Sequence, residues 1–258
     1  MKILRYQNEQ QVPTFGWLHQ GKVGAILGSP FDHFRRLEAV VPLERLQLLP
    51  PLLPGKLISI QKNYRFQGED EQDIPDIPAF FLKPPQSIIG SRQFIQIPPQ
   101  TNEVVAQAEL AIVIGKPCHW TALNQALDFV MGYTCALTYF AHDLIELDGY
   151  TQYRAYFFDT FTALGPWIET DFDPNDIVIS ASLNRSLIHM MTSHDMLFSI
   201  QQLITYLSSI MTLLPGDVIL TGPTNPGFQV DINDLVQVDI EGIGTLLNTV
   251  TFENKSTA

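Results

Sequence analysis

Cysteines and basic residues are scarce in this chain of 258 residues. Its two cysteines, Cys118 and Cys135, are too few for a disulfide framework and lack the spacing of zinc ligands, so we expect buried free thiols. Fifteen Lys and Arg stand against 27 Asp and Glu, which gives a net charge of −12. Because this charge repels phosphate groups, we expect no nucleic-acid partner.

Long apolar runs are absent as well. No stretch approaches the roughly 20 apolar residues of a transmembrane helix, and residues 1–5 lead into a polar segment at 6–9 rather than an apolar signal core. We therefore expect a cytoplasmic protein with no membrane partner. Hydrophobic residues make up 45% of the chain, enough for one core or a core plus a small lobe.

Short apolar runs broken by glycine and proline fill residues 1–53 and suit short strands. The proline-rich segment 50–55 interrupts regular structure, so we predict a small N-terminal β lobe over 1–53 and a main domain over 54–258. Many β segments with few helices predict a mainly β (α+β) protein with a closed or strongly curved sheet. The main domain has predicted strands at 56–60, 109–115, 217–220, 235–240 and 244–250.

Two segments have the apolar spacing of a helix. One covers residues 122–131 after a possible cap at Thr121, and the other covers 195–211 with Asp195 as its expected cap. These are the two helices that the pattern predicts.

A series of short segments runs in order over residues 56–250: Asn63-Tyr64, Phe81-Leu82-Lys83-Pro84, Glu109-Leu110-Ala111-Ile112-Val113-Ile114-Gly115-Lys116, Gly132-Tyr133-Thr134, Phe158-Asp159-Thr160-Phe161 and Leu214-Pro215-Gly216-Asp217. Together they resemble signatures of the fumarylacetoacetate hydrolase family. The resemblance implies a mixed β-sandwich roll with a small N-terminal β-rich lobe, assembled as a homodimer. It also implies a small-molecule substrate with a 1,3-dicarbonyl or 2-oxo acid unit, which members cleave or tautomerise.

The metal site that this resemblance implies is incomplete here. Family members hold Mg²⁺ or a similar ion on three carboxylates, whereas the matching positions are Gln107, Glu109 and Thr138. Three formal negative charges fall to one, and Mg²⁺ binds proteins mainly through carboxylates. We expect no tightly held cofactor and, at most, weak Mg²⁺ binding.

The general base that the resemblance implies is also replaced. Gln67 and Asp70 stand where the family has a catalytic histidine and its glutamate, and an amide cannot take a proton from water. Tyr156 replaces a family lysine, while Lys83 and Thr221 are retained. We expect Lys83 to stabilise an enolate or to hold a carboxylate.

The candidate site therefore has two groups of residues. The candidate catalytic residues are Lys83, Tyr156, Glu109 and Gln107. The candidate substrate-binding residues are Arg65, Gln67, Tyr139, Thr221, Phe66 and Phe140. With Phe157, several of these predict either an aromatic cavity for an apolar ligand or a disused cavity filled with side chains.

Three functions are compatible with these residues. The first is a divergent enzyme that acts without a tightly bound metal on a relatively apolar dicarbonyl, oxo-acid or polyene acyl substrate, by cyclisation, isomerisation or C–C bond cleavage. The second is a Mg²⁺-dependent acylpyruvase-like hydrolase or oxo-acid tautomerase. The third is a non-catalytic scaffold of the same fold.

Overall fold

Strands dominate the computed structural model, which describes residues 1–66, 68–70 and 74–253. In chain order they are β1 (Lys2–Gln7), β2 (Pro13–His19), β3 (Lys22–Gly28), β4 (Phe34–Arg36), β5 (Val41–Pro42), β6 (Leu48–Leu49), β7 (Leu57–Ile60), β8 (Phe80–Lys83), β9 (Ile88–Ile89), β10 (Phe94–Ile97), β11 (Val104–Ile114), β12 (Val130–Ala141), β13 (Thr162–Glu169), β14 (Val178–Leu183), β15 (Ser186–Thr192), β16 (Val218–Leu220), β17 (Phe228–Val230), β18 (Leu235–Ile240) and β19 (Gly244–Phe252). The mainly β prediction is confirmed.

The described strands form two sheets. The larger has 14 strands with the main order β4-β3-β2-β1-β13-β12-β11-β16-β7-β8, and the smaller has five in the order β10-β19-β18-β14-β15. Within the larger sheet, β1 pairs with β13 through Lys2 opposite Glu169 and Ile3 opposite Ile168. The N-terminal strands thus continue the sheet of the main domain, and the boundary at residues 53 and 54 stays a prediction.

Strand β11 lies near the middle of the larger sheet, between β12 and β16. Its even-numbered side chains, such as Leu110 and Ile112, join the main core together with residues of the smaller sheet. Its odd-numbered side chains Ala111 and Val113 join a second core on the opposite face. Because both faces are covered, the strand is nearly all apolar, and a polar side chain within it has to find a polar partner.

The helices differ from the sequence predictions. Helix α1 spans His142–Asp148, and α2 spans Ile200–Ile210, inside the predicted 195–211. Ser199 caps α2 and accepts a hydrogen bond from the Gln202 backbone, whereas Asp195 belongs to a separate turn that it closes with Thr192. The prediction that Asp195 caps α2 was therefore wrong, because Ser199 directly precedes the helix and can reach its first free N–H groups.

The helix predicted over 122–131 is shorter than expected and is not an α-helix. Residues Leu123–Phe129 form a 3-10 helix, and β12 begins directly at Val130, which pairs with Ile114. Pairing across the sheet outweighs the local helical spacing here. Further 3-10 turns cover Leu43–Arg45, Pro85–Ser87, Gly149–Tyr156 and Ser193–Asp195.

Two sequence expectations concern the chain as a whole. Both cysteines, Cys118 and Cys135, are buried free thiols. No helix in the described part of the chain has the length and apolar character that a bilayer span needs.

A buried carboxylate fixes the turn between α2 and β16. Asp217 is 1% exposed, and its side chain accepts backbone hydrogen bonds from Lys56 at 2.9 Å and Leu214 at 2.7 Å. The Lys56 ammonium completes an ion pair with the same carboxylate. Asp217 therefore ties the start of β7 to the start of β16, its parallel neighbour.

We expect Asp217→Asn to lower the free energy of unfolding by about 2–3 kcal/mol, because an amide NH₂ then faces a backbone N–H and a buried donor loses its acceptor. Urea unfolding measures the change. The exposed Asp128→Asn is the control and should stay within about 0.5 kcal/mol. Equal stability of both variants would contradict this role for Asp217.

Candidate active site

A small cavity opens between β7, β8, β11 and β12, with a volume of about 250 Å³. Seven of its ten lining residues carry a polar side chain. The lining residues are Ser59, Ile60, Gln61, Phe81, Lys83, Gln107, Glu109, Thr138, Tyr156 and Pro223. All four candidate catalytic residues, Lys83, Tyr156, Glu109 and Gln107, are brought together here.

The strand pairing explains how three of these side chains meet. Gln107 and Glu109 are two residues apart on β11, so they point to the same face of the sheet. Thr138 of β12 is the direct cross-strand partner of Gln107 and shares that face. The strand starts at Val104, so Glu109 lies in its middle rather than at its beginning.

Glu109 is the buried carboxyl group of the cavity, 1% exposed. The Thr138 hydroxyl donates to its Oε1 at 2.6 Å, and the Gly222 backbone N–H donates to its Oε2 at 2.9 Å. Burial raises the pKa of Glu109 above its ordinary value, although these two donors and the positive charge of Lys83 act in the opposite direction. A carboxyl group with a raised pKa can both accept and release a proton near neutral pH.

Lys83 is the buried amine of the same cavity, 2% exposed. Its Nζ donates to the backbone carbonyl of Phe161 at 3.0 Å. Desolvation lowers the pKa of Lys83, and the charge of Glu109 raises it in part. Within the described residues no carboxylate lies close enough for a direct ion pair with Lys83, so its remaining N–H groups are available to a ligand.

Tyr156 supplies a phenol at the side of the cavity formed by the 3-10 segment Gly149–Tyr156. Its ring stacks on Phe140 with centroids 5.3 Å apart and contacts Phe81 at 5.1 Å. Burial, followed by the nearby charge of Glu109, raises the pKa of Tyr156. The phenol therefore stays protonated and can donate a hydrogen bond to an oxygen in the cavity.

Most of the candidate substrate-binding residues lie elsewhere. Tyr139 is fully buried and, as the neighbour of Thr138 on β12, points to the opposite face and into the main core. Thr221 is buried behind the cavity, where its hydroxyl donates to the Leu110 carbonyl at 3.1 Å. Arg65 is exposed and lines a separate depression of about 410 Å³.

Phe66, Phe140 and Phe157 do not line the cavity either. Phe140 supports Tyr156 from behind, Phe66 packs against the main core, and Phe157 is 38% exposed. Gln67 lies outside the described residues, and Asp70 is exposed. The expected aromatic lining is therefore replaced by a mainly polar one, to which Phe81 contributes one ring.

Sequence reasoning missed Ser59 and Gln61. They lie on β7 and at its end, two residues apart, with Ser59 paired to Phe81 on β8. The polar residues alternate with apolar Ile58 and Ile60, a pattern that indicates one polar face. Nothing local showed that this face lies opposite Glu109, because the contact depends on the order of strands in the sheet.

Comparisons with known proteins agree with this architecture. The fumarylacetoacetate (FAA) hydrolase C-terminal family matches residues 56–251, which is more than half of the chain. An N-terminal family described as Rv2993c-like matches residues 1–51. The chain belongs to the fumarylacetoacetate hydrolase family.

Three relatives illustrate this similarity. Oxaloacetate tautomerase Fahd2a, mitochondrial, from Rattus norvegicus is 31% identical over 224 residues, covering 82% of this chain and 71% of the relative. The structure of 5-carboxymethyl-2-hydroxymuconate delta-isomerase from Mycobacterium smegmatis is 35% identical with a TM-score of 0.89. The match covers 98% of this chain and 100% of that one. The structure of 2-hydroxyhepta-2,4-diene-1,7-dioate isomerase from Mycobacterium marinum is 33% identical with a TM-score of 0.87. The match covers 99% of this chain and 100% of that one.

The metal ion that family membership implies does not fit these side chains well. Among the ten lining residues Glu109 is the sole carboxylate, and both of its oxygens already accept hydrogen bonds. No group of three or more His, Cys, Asp or Glu in the described ranges could hold a metal ion.

We expect Lys83→Met to make stability depend on pH through Glu109. Without the neighbouring positive charge, the pKa of Glu109 rises further above its ordinary 4.5. A pKa raised by folding gives stability that is present below the unfolded pKa and is lost as pH rises through the folded pKa. The loss of unfolding free energy should be small at about pH 5 and should grow above neutral pH, by about 1.4 kcal/mol for each pH unit by which the pKa of Glu109 rises.

Glu109→Gln should show the opposite trend. The pKa of Lys83 then falls further below 10.5, so stability is lost as pH falls through the lowered value. Its loss should be largest at acidic pH and shrink towards about pH 10. Urea unfolding of both variants across pH measures the two trends, and pH-independent losses would show that the two groups do not titrate in the folded protein.

Proposed function

We propose that this chain is a tautomerase or isomerase of a short 2-oxo acid and that it works without a tightly bound metal. The observation that carries the proposal is that a buried carboxyl group, Glu109, and a buried amine, Lys83, line the same small cavity. The names of the three relatives, one tautomerase and two isomerases, support the reaction class.

Tautomerisation needs a group that moves a proton and a group that stabilises the oxygen. Glu109 would take a proton from the carbon beside the carbonyl, and the carbonyl oxygen would become an enol or enolate oxygen. The Lys83 ammonium and the Tyr156 hydroxyl would donate hydrogen bonds to that oxygen. Returning the proton to carbon, or to a different carbon, completes a tautomerisation or an isomerisation, and no water is consumed.

The size and polarity of the cavity favour a short polar substrate over the apolar acyl substrate in the first sequence hypothesis. Its volume of about 250 Å³ is below the usual range of drug-sized ligand pockets, and seven lining residues are polar. A long polyene chain finds few apolar contacts there. We therefore place the oxo acid, not the polyene acyl compound, first among the substrate classes.

Two alternatives are less well supported. Hydrolysis needs an activated water, and neither a carboxylate-rich metal site nor a histidine base is found among the cavity-lining residues. A scaffold predicts a cavity filled by Phe66, Phe140 and Phe157, and none of the three lines it. A homodimer is a proposal that rests on the family resemblance, and the cytoplasmic location stays a prediction from the sequence.

We expect Lys83→Met and Tyr156→Phe each to reduce tautomerase turnover of oxaloacetate by about 10²- to 10³-fold, because each removes a donor to the enolate oxygen. Loss of enol absorbance in single-turnover mixing gives the rate. The exposed Lys116→Met and Tyr153→Phe are matched controls that should keep full activity. Full activity in both site variants would place the chemistry elsewhere.

The pH profile tests the same assignment. Glu109 must be deprotonated and Lys83 protonated, so kcat/KM should rise with pH through the raised pKa of one and fall through the lowered pKa of the other. The bell-shaped pH profile should be narrower than one set by the ordinary pKa values of 4.5 for glutamate and 10.5 for lysine. Because Glu109 and Lys83 interact, the two apparent pKa values of this profile describe the pair and not either residue alone. An activity that stays constant from acid to alkaline pH would contradict it.

Metal independence has its own test. Activity after treatment with EDTA should stay within about twofold, and millimolar Mg²⁺ should hardly raise the melting temperature, whereas a ligand at about 100 times its Kd adds about 2.7 kcal/mol. The double variant Gln107→Glu with Thr138→Asp restores two carboxylates and should gain a Mg²⁺-dependent shift. Loss of wild-type activity in EDTA with recovery in Mg²⁺ would favour the metal-dependent alternative.

A further inference from the structure

Besides Gln107, two polar side chains of the cavity, Ser59 and Gln61, have no role in the proton transfer described above. Ser59 lies on β7 and is 5% exposed, and Gln61 follows it by two residues and is half-buried. Both line the cavity. Each lies beside β8, whose Lys83 reaches the same space.

The backbone holds these two residues firmly. Ser59 pairs with Leu220 on β16 and with Phe81 on β8, so β7 is bound on both sides. The Gln61 N–H donates to the Ala79 carbonyl at 2.9 Å, which extends this pairing past the end of the strand. Their Cα positions, and the direction in which each side chain leaves the backbone, are therefore fixed beside the cavity.

Both side chains are uncommitted. Across residues 1–66, 68–70 and 74–253, neither the Ser59 hydroxyl nor the Gln61 amide makes a hydrogen bond to the protein. Buried polar groups usually have hydrogen-bond partners, because leaving them unpaired costs free energy. The cavity therefore presents an O–H, an NH₂ and the free N–H groups of Lys83 to whatever enters it.

The charges in the cavity indicate which end of a ligand these donors face. Glu109 lies on the β11 side and repels a ligand carboxylate, whereas Lys83 on the β8 side attracts it. Hydrogen bonds from a cation and two neutral donors suit the two oxygens of a carboxylate. The opposite end of the ligand then faces Glu109, the proton-transfer group.

We propose that Ser59, Gln61 and one free N–H of Lys83 form the carboxylate subsite that orients a short 2-oxo acid, with its exchanging carbon towards Glu109. The other free N–H of Lys83 then donates to the adjacent carbonyl oxygen. This inference rests on the proposed function and names the recognition element of the same cavity. Gln61 also limits the length of the substrate, because its side chain occupies space at the wall of a cavity of only about 250 Å³.

Calorimetric binding of oxalate, a small dicarboxylate, in the presence of EDTA tests the subsite directly. Ser59→Ala and Gln61→Ala should each weaken oxalate binding by about 10- to 100-fold, since each removes a hydrogen bond to a charged group. Gln61→Glu should abolish it at neutral pH by repulsion, which provides a second variant at a half-buried position. The exposed Gln125→Ala and Ser186→Ala are the matched controls.

Kinetics separates recognition from folding. Gln61→Ala should raise KM for oxaloacetate at least tenfold while kcat changes by less than about threefold, and should favour longer oxo acids relative to the wild type. A purely structural role would lower the melting temperature without this split. Unchanged oxalate binding in Ser59→Ala and Gln61→Ala overturns the subsite, even if the wild type is an active tautomerase.

The reverse result distinguishes the two proposals. If oxalate binds the wild type and is lost in the subsite variants, while no oxo acid is turned over, the carboxylate subsite stands and the proposed tautomerase function fails. If the wild type does not bind oxalate at any concentration that is tested, the subsite is wrong. Circular dichroism of every variant ensures that folded proteins are compared.

Discussion

The fixed position of the Glu109 carboxyl group is the constraint on which the site depends. Thr138 can reach it only in the present register of β11 and β12, and the Gly222 N–H reaches it only because the chain after β16 turns sharply. Gly222 has a φ of +97°, and a Cβ there would lie 3.0 Å from Asn63, so a larger residue is strained twice. The register of the sheet and the geometry of the turn thus fix the position of the Glu109 carboxyl group.

The general fold and the centre of the site could be predicted because the relevant signals are local. The period of two places Gln107 and Glu109 on one face, and the ordered motifs along residues 56–250 indicate the β-roll. Lys83 and Tyr156 were identified as polar residues in motifs that otherwise match the family. Their burial in one cavity is consistent with those roles.

The rest of the cavity could not be predicted, because it depends on contacts between distant strands. Ser59 and Gln61 reach the site through the order β11-β16-β7-β8, which no local pattern contains. Tyr139 was placed with Thr138 although adjacent residues on a strand point to opposite faces, and it lies in the main core. The lining is more polar than the sequence indicated because Ser59 and Gln61 join it and Tyr139 does not.

On the proposed function, the presence of Gln107 and Thr138 where the family resemblance implies carboxylates also sets which reactions are feasible. A dication activates water and neutralises a full negative charge, whereas Lys83 and Tyr156 only donate hydrogen bonds to a developing enolate. Shifting a proton within an already acidic oxo acid requires positioning and modest charge stabilisation. Hydrolytic C–C cleavage requires an activated water as well, and the cavity has no second base to produce it among its lining residues. Under this proposal, Gln107 and Thr138 in the place of carboxylates favour isomerisation over hydrolysis.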